Sequence, residues 1–154
     1  MEFKLTSPAF NSGTQIPSKY TCDGDNINPY LVIHGVPKGT RSLALLLEDL
    51  DVLPLRSVHW VVWNINPELG EIKEHSAPHG AQQGVNVQRK HGYLGPCPQD
   101  PAPHRYLFRL YALDCKLDLA PTAGRSELEE AMASHVMATT ELIGTYARTN
   151  LAPI

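Results

Sequence analysis

The chain has 154 residues, a net charge of −3 at pH 7, 42% hydrophobic and 19% charged residues, which suits one soluble domain with a buried core. Its Lys and Arg residues are scattered, with no run longer than Arg89-Lys90, which excludes a general nucleic-acid binder and a polybasic membrane anchor. The longest apolar run, Leu43 to Leu47, is far short of a membrane span, and Met1–Leu5 lacks the apolar core of a signal peptide.

Thirteen prolines and eleven glycines, all but Pro153 and Gly144 within the first 124 residues, favour strands and turns over helices. In chain order, strands are predicted at Glu2–Leu5, Tyr30–His34, Ser42–Glu48, His59–Ile65, Gly84–Val87 and Arg105–Asp114. Pro37-Lys38-Gly39-Thr40 reads as a tight turn between two of them. Ser42–Glu48 and His59–Ile65 are dense in Leu, Val and Trp, as strands covered on both faces are. Within the second, Trp60 and Trp63 are predicted to face opposite sides, one toward the core and one toward the other surface.

After residue 124 the pattern changes. Ser126 followed by Glu129 reads as a capping box, and Leu128, Ala131, Met132, His135, Met137 or Ala138, Leu142 and Tyr146 recur at helical spacing. One helix from Glu127 to Ala147 is expected to pack on the sheet. Without repeats or linkers, residues 1–154 read as a single domain, a mostly β sandwich with Greek-key links and a C-terminal helix. Cys22, Cys97 and Cys115 are odd in number and show no Cys-x-x-Cys, which points to reduced thiols in a cytoplasmic protein; a Cys22–Cys97 bridge stays open.

The chemistry concentrates in two stretches. The Pro-rich loop Gly95-Pro96-Cys97-Pro98-Gln99-Asp100-Pro101-Ala102-Pro103 runs into a strand opened by His104, Arg105 and Tyr106. Alternation sends His104 and Tyr106 to one face and Arg105 to the other. Asp49 and His59 supply a second half-site. Phosphate offers acceptors only, so its site needs donors: imidazole N–H groups from His59 and His104, the Tyr106 hydroxyl, and backbone N–H groups near Gly95. Asp49 is compatible with an anion site when it orients and charges an imidazole through a hydrogen bond. Asp51 reads as a turn cap. His75 and His79 have the spacing of a helical zinc pair, but Pro78 between them predicts a loop, so no metal is expected.

These segments match a family pattern in order: Thr21-Cys22-Asp23-Gly24-Asp25-Asn26, Asn28-Pro29-x-Leu31, Val36-Pro37-x-Gly39-Thr40-x-Ser42, Asp49-x-Asp51, His59-Trp60-Val61-Val62-x-Asn64, Gly95-Pro96-Cys97-Pro98 with His104-Arg105-Tyr106, and Gly144-x-Tyr146-x-Arg148. From about Phe3 to Arg148 the chain resembles the bacterial and archaeal, Raf kinase inhibitor-like branch of the phosphatidylethanolamine-binding protein family. The resemblance implies a large central sheet with a smaller one beside it, peripheral helices, and a small anion pocket accepting phosphate or phosphorylated head groups. Carried over by position, the pocket comprises Asp49, His59, Gly95, Pro96, His104 and Tyr106. The resemblance also implies a homodimer and a protein partner such as a kinase.

Departures fall on the first half-site. The family's Asp-Pro-Asp-x-Pro turn is here Asp49-Leu50-Asp51-Val52-Leu53-Pro54, which is expected to loosen the turn or change its path. Val58 stands where an aromatic residue is usual, Ile33 where a tryptophan is, and Gln99 where a second proline is. The sequence shows no Gly-x-Ser-x-Gly elbow, P-loop, Rossmann fingerprint or metal-ligand cluster, so a binding protein without cofactor is expected. The alternatives are a hydrolase acting on phosphate esters or peptides, and a protein inhibitor with a vestigial pocket.

Overall fold

In the computed structural model, which describes residues 2–52 and 56–148, eight strands among the described residues form two antiparallel sheets. The smaller sheet holds β1 (Lys4–Thr6), β2 (Leu31–His34) and β5 (Glu71–Ile72) in the order β1-β2-β5. The larger holds β3 (Ser42–Asp49), β4 (Ser57–Ile65), β6 (Gln82–Gln83), β7 (His104–Leu113) and β8 (Val136–Tyr146), ordered β6-β4-β3-β7-β8. The chain leaves β4 and returns on the far side of β3 as β7, the kind of non-adjacent link expected of a Greek-key sandwich.

The central position of β3 explains its sequence. All eight of its residues are buried, and alternate ones serve two cores. Leu43, Leu45 and Leu47 face the smaller sheet with Trp60, Val62, Phe108 and Leu110. Ala44 and Leu46 face the other way with Val61, Trp63 and Tyr111, under a cover that includes Leu117, Leu128 and Met132. Trp60 and Trp63 do take opposite faces, but both are fully buried because that cover closes the second face.

The closing segment corrects the sequence expectation. The helix α1 spans only Arg125–Met132, and Glu127 rather than Glu129 caps it, accepting from the Gly124 N–H at 2.9 Å. The chain then turns through Ala133, Ser134 and His135 into β8, which pairs along the full length of β7. Positions 138, 142 and 146 satisfy a four-residue helical spacing and a two-residue strand spacing equally, so the apolar pattern cannot decide between them. Val136, three threonines (Thr139, Thr140, Thr145), Ile143 and Tyr146 favour the strand, and pairing with β7 settles it. Gly144 sits in that ladder opposite Tyr106, where a Cβ would collide with the Ile16 side chain. The predicted strand at Gly84–Val87 is likewise absent; β6 lies just before it, and Val85 makes a single bridge to His91.

Cys22 and Cys97 form a disulfide, which overturns the expectation of reduced thiols and removes the cysteine-based reason for a cytoplasmic location. Cys115 is the one unpaired cysteine. No helix is long and apolar enough to cross a membrane among the described residues.

Candidate functional site

Three strand ends meet at one edge of the large sheet. Asp49 closes β3 and stands opposite both Ser57, which opens β4, and Tyr106 near the start of β7. His104, two residues before Tyr106, lies on the same face, while Arg105 points outward, as alternation predicts. Simple alternation would put His59 on the face opposite Trp60, away from this group. The pairing shifts here: Leu47 faces Trp60 and Glu48 faces Val58, so His59 is the extra residue of a β-bulge. The bulge turns the imidazole to the side of Asp49 and His104, edge-on to the Tyr106 ring at a centroid distance of 5.6 Å.

These residues border a cleft of about 530 Å³ lined by Asp49, His59, His104 and Asp100, with Ser57 and Cys97 also on its wall. His104 is 5% exposed and held at both nitrogens. Its Nδ1 meets Asp49 Oδ2 at 2.6 Å, and its Nε2 meets both Asp100 carboxylate oxygens at 3.1 and 3.2 Å. Only the imidazolium donates from both nitrogens. Burial works against that charge, but the Asp49 and Asp100 carboxylates outweigh it and hold the His104 pKa above the ordinary imidazole value. The second oxygen of Asp49 accepts the Asp51 N–H at 2.8 Å, which fixes the carboxylate from behind.

His59 is set the other way. Its Nδ1 donates to the carbonyls of Leu94 at 2.8 Å and Gly95 at 3.1 Å, and burial pushes its pKa below the ordinary value. The two imidazoles are thus biased in opposite directions, His104 toward the charged form and His59 toward the neutral one. With Nδ1 carrying the proton, Nε2 of His59 is an acceptor on the cleft side. Beneath them Tyr106 is fully buried, and its hydroxyl has no hydrogen-bond partner of proper geometry, although Asp49 and the Cys97 backbone lie close. Burial, then the Asp49 charge, raises the Tyr106 pKa, so the phenol stays protonated.

Gly95 and Pro96 stand behind the wall rather than on the cleft surface. The Gly95 N–H, a candidate anion donor on sequence grounds, donates instead to Asn26 Oδ1 at 2.8 Å, and a Cβ at Gly95 would strike the Tyr20 carbonyl. The Cys22 N–H donates to the Pro96 carbonyl at 3.1 Å, and the Cys22–Cys97 bridge completes the attachment of this wall to the Thr21–Asn26 segment. Asp51 accepts three bonds from Arg105, from its backbone N–H at 2.7 Å and its guanidinium at 2.8 and 3.1 Å, and Arg105 holds its carboxyl below the usual range. That tie anchors Asp51 of the altered turn to β7; Leu53 and Pro54 of the same turn lie outside the described residues.

Sequence reasoning missed Asp100 as a participant. Its signal is its position, four residues ahead of His104 in a proline-rich loop that must fold back over the strand end. His75 and His79 lie in an exposed turn region, and His135 pairs with Asp114 at 2.8 Å on the surface. Asp114, Cys115 and His135 bring one potential ligand atom each within 4.8 Å of one another; the Asp114 N–H to His135 carbonyl bond at 3.0 Å shows that this contact joins the end of β7 to the turn before β8.

A two-sheet sandwich with a histidine-and-aspartate cleft at one end of its large sheet defines the class of protein. The sequence matches the Phosphatidylethanolamine-binding protein family over residues 6–147, and the chain belongs to that family. It is 46% identical to a UPF0098 protein of Methanothermobacter thermautotrophicus, covering 94% of this chain and 98% of that one. A UPF0098 protein of Chlamydia trachomatis is 43% identical over 94% and 99% of the two chains. Among solved structures, the phosphatidylethanolamine-binding protein homologue CT736 of Chlamydia trachomatis superposes with a TM-score of 0.90 at 42% identity, covering 95% of this chain and 97% of that chain. Escherichia coli YbcL, described as a new member of the mammalian family, gives 0.89 at 28% identity over 97% and 100%.

Proposed function

We propose that the cleft binds phosphate or a phosphorylated head group without catalysing a reaction. The observation that carries this reading is the His104 imidazolium, buried, charged by Asp49 from behind, with its second N–H on the cleft side, where the exposed Asp100 carboxylate already holds it. The buried, unpartnered Tyr106 hydroxyl supports it, since an incoming oxygen would satisfy it. Neutral His59 adds an acceptor suited to the hydroxyl of a monoprotonated phosphate. Ser57 makes no hydrogen bond to His59 among the described residues, so this hydroxyl lacks the base that a hydrolytic nucleophile needs. On the family's example we also take the protein to be a homodimer and a protein partner such as a kinase to be its regulatory target; light scattering of the purified protein tests the first.

The cleft is tested by an NMR titration with inorganic phosphate and O-phosphoethanolamine on the intact chain. Saturable shifts at His59, His104 and Tyr106 that vanish in His104→Ala are expected. Shifts that survive that substitution unchanged would reject the assignment.

A further inference from the structure

We propose that Asp100 is a built-in competitor for the cleft: its carboxylate holds the outer N–H of His104, and an anionic ligand binds by displacing it. This rests on the anion-binding reading above. An imidazolium has two N–H groups, and both are taken, by Asp49 at 2.6 Å and by Asp100 at 3.1 and 3.2 Å. A ligand oxygen therefore reaches His104 only by replacing one carboxylate.

The two are unequal. Asp49 is 2% exposed, belongs to β3, and is fixed again by the Asp51 N–H. The Asp100 side chain is 57% exposed on a loop, so it is the one that yields. It is nonetheless kept at hand. Its Oδ1 accepts the Ala102 N–H at 3.0 Å, and Pro98, Pro101 and Pro103 restrict the backbone around it. A tethered anion in such a loop competes at a high effective concentration.

This arrangement selects among anions. A monocarboxylate that replaces Asp100 exchanges one carboxylate for its equivalent and gains no charge on His104. A phosphate group brings more charge and more acceptor oxygens, and it can also meet His59 on the cleft wall. Asp100 is thus a specificity-determining residue that sets a threshold favouring phosphate over carboxylate ligands.

The experiment compares wild type, Asp100→Asn and Asp100→Ala in calorimetric and NMR titrations with inorganic phosphate and with acetate. The exposed position of Asp100 leaves the fold intact in both variants. If Asp100 occupies His104 in about nine molecules of ten, apparent phosphate affinity rises about tenfold when it is removed. Acetate binding is expected to be undetectable in wild type and to become measurable in both variants. Phosphate affinity that is unchanged or weaker in both variants overturns the proposal while the anion cleft stands. Phosphate that shifts neither His59 nor His104 in any of the three proteins rejects the cleft reading itself, and the proposal with it. Without added ligand, the His104 Nε2 resonance should also move in Asp100→Asn; an unmoved resonance overturns the contact on which the proposal depends.

Discussion

Replacing Asp49 with Asn separates the charge on His104 from the shape of its site. The Asp49–His104 contact is 2.6 Å long between side chains that are 2% and 6% exposed, so solvent screens it little. A hydrogen bond to a charged group contributes a net of about 1.5–3 kcal/mol, and Asn keeps the volume and one neutral bond, so the expected loss is about 2 kcal/mol. Loss of the Asp49 charge also lowers the His104 pKa, since that carboxylate is one of the groups that raise it. The sign follows from linkage. The folded pKa of His104 is raised, so the pair's stabilisation is complete below the unfolded imidazole value of about 6.5 and fades as pH rises through the folded value. Urea unfolding with the disulfide intact should therefore show the full destabilisation at about pH 6 and much less at about pH 9. NMR titration of His104 in the same variant should show the downward shift. Equal destabilisation at both pH values, or an unmoved His104 titration, would refute an imidazolium charged by Asp49.

Three further outcomes follow from the same geometry. Tyr106→Phe removes a buried hydroxyl that has no partner, so thermal melts should show no loss of stability and a gain of up to about 1 kcal/mol, while phosphate binding weakens; a loss beyond about 1 kcal/mol would mean the hydroxyl is bonded within the fold. Cys97→Ser opens a bridge between residues 75 apart, worth about 4 kcal/mol in the chain-entropy model, and reductant should lower the wild-type melting temperature comparably; an unchanged melting temperature in reductant would show that the bridge does not support the fold. Sulfate stays fully ionised across the imidazole range, so its binding should weaken as pH rises above about 6.5 through the His104 titration; an affinity flat from about pH 6 to pH 9 would remove the imidazolium as anchor.

Several parts of the site could be read from local pattern. Two-residue alternation places His104 and Tyr106 inward and Arg105 outward wherever β7 sits, because pleating alone sets that order. The suggestion that Asp49 charges an imidazole needed only the chemistry of a carboxylate in a donor site, and the 2.6 Å contact now names His104 as its partner. Gly95 illustrates the opposite case. Its N–H is available in the sequence and spent in the fold, on an Asn26 side chain distant along the chain.

By itself the sequence determined the β3 and β4 core strands, since runs dense in Leu, Val and Trp bury well only between two layers, and β7 through the alternation that opens it. It also determined the order of motifs that marks the family. Tertiary structure alone decided which face His59 takes, because a bulge depends on how two strands register and not on either strand's pattern. It decided that residues 136–146 form a strand, because their spacing serves both periods until β7 offers its ladder. The Cys22–Cys97 bridge and the Asp100–His104 contact belong to the same group. Each depends on distances closed by the packing of the two sheets and their loops, which residue order along one segment does not contain.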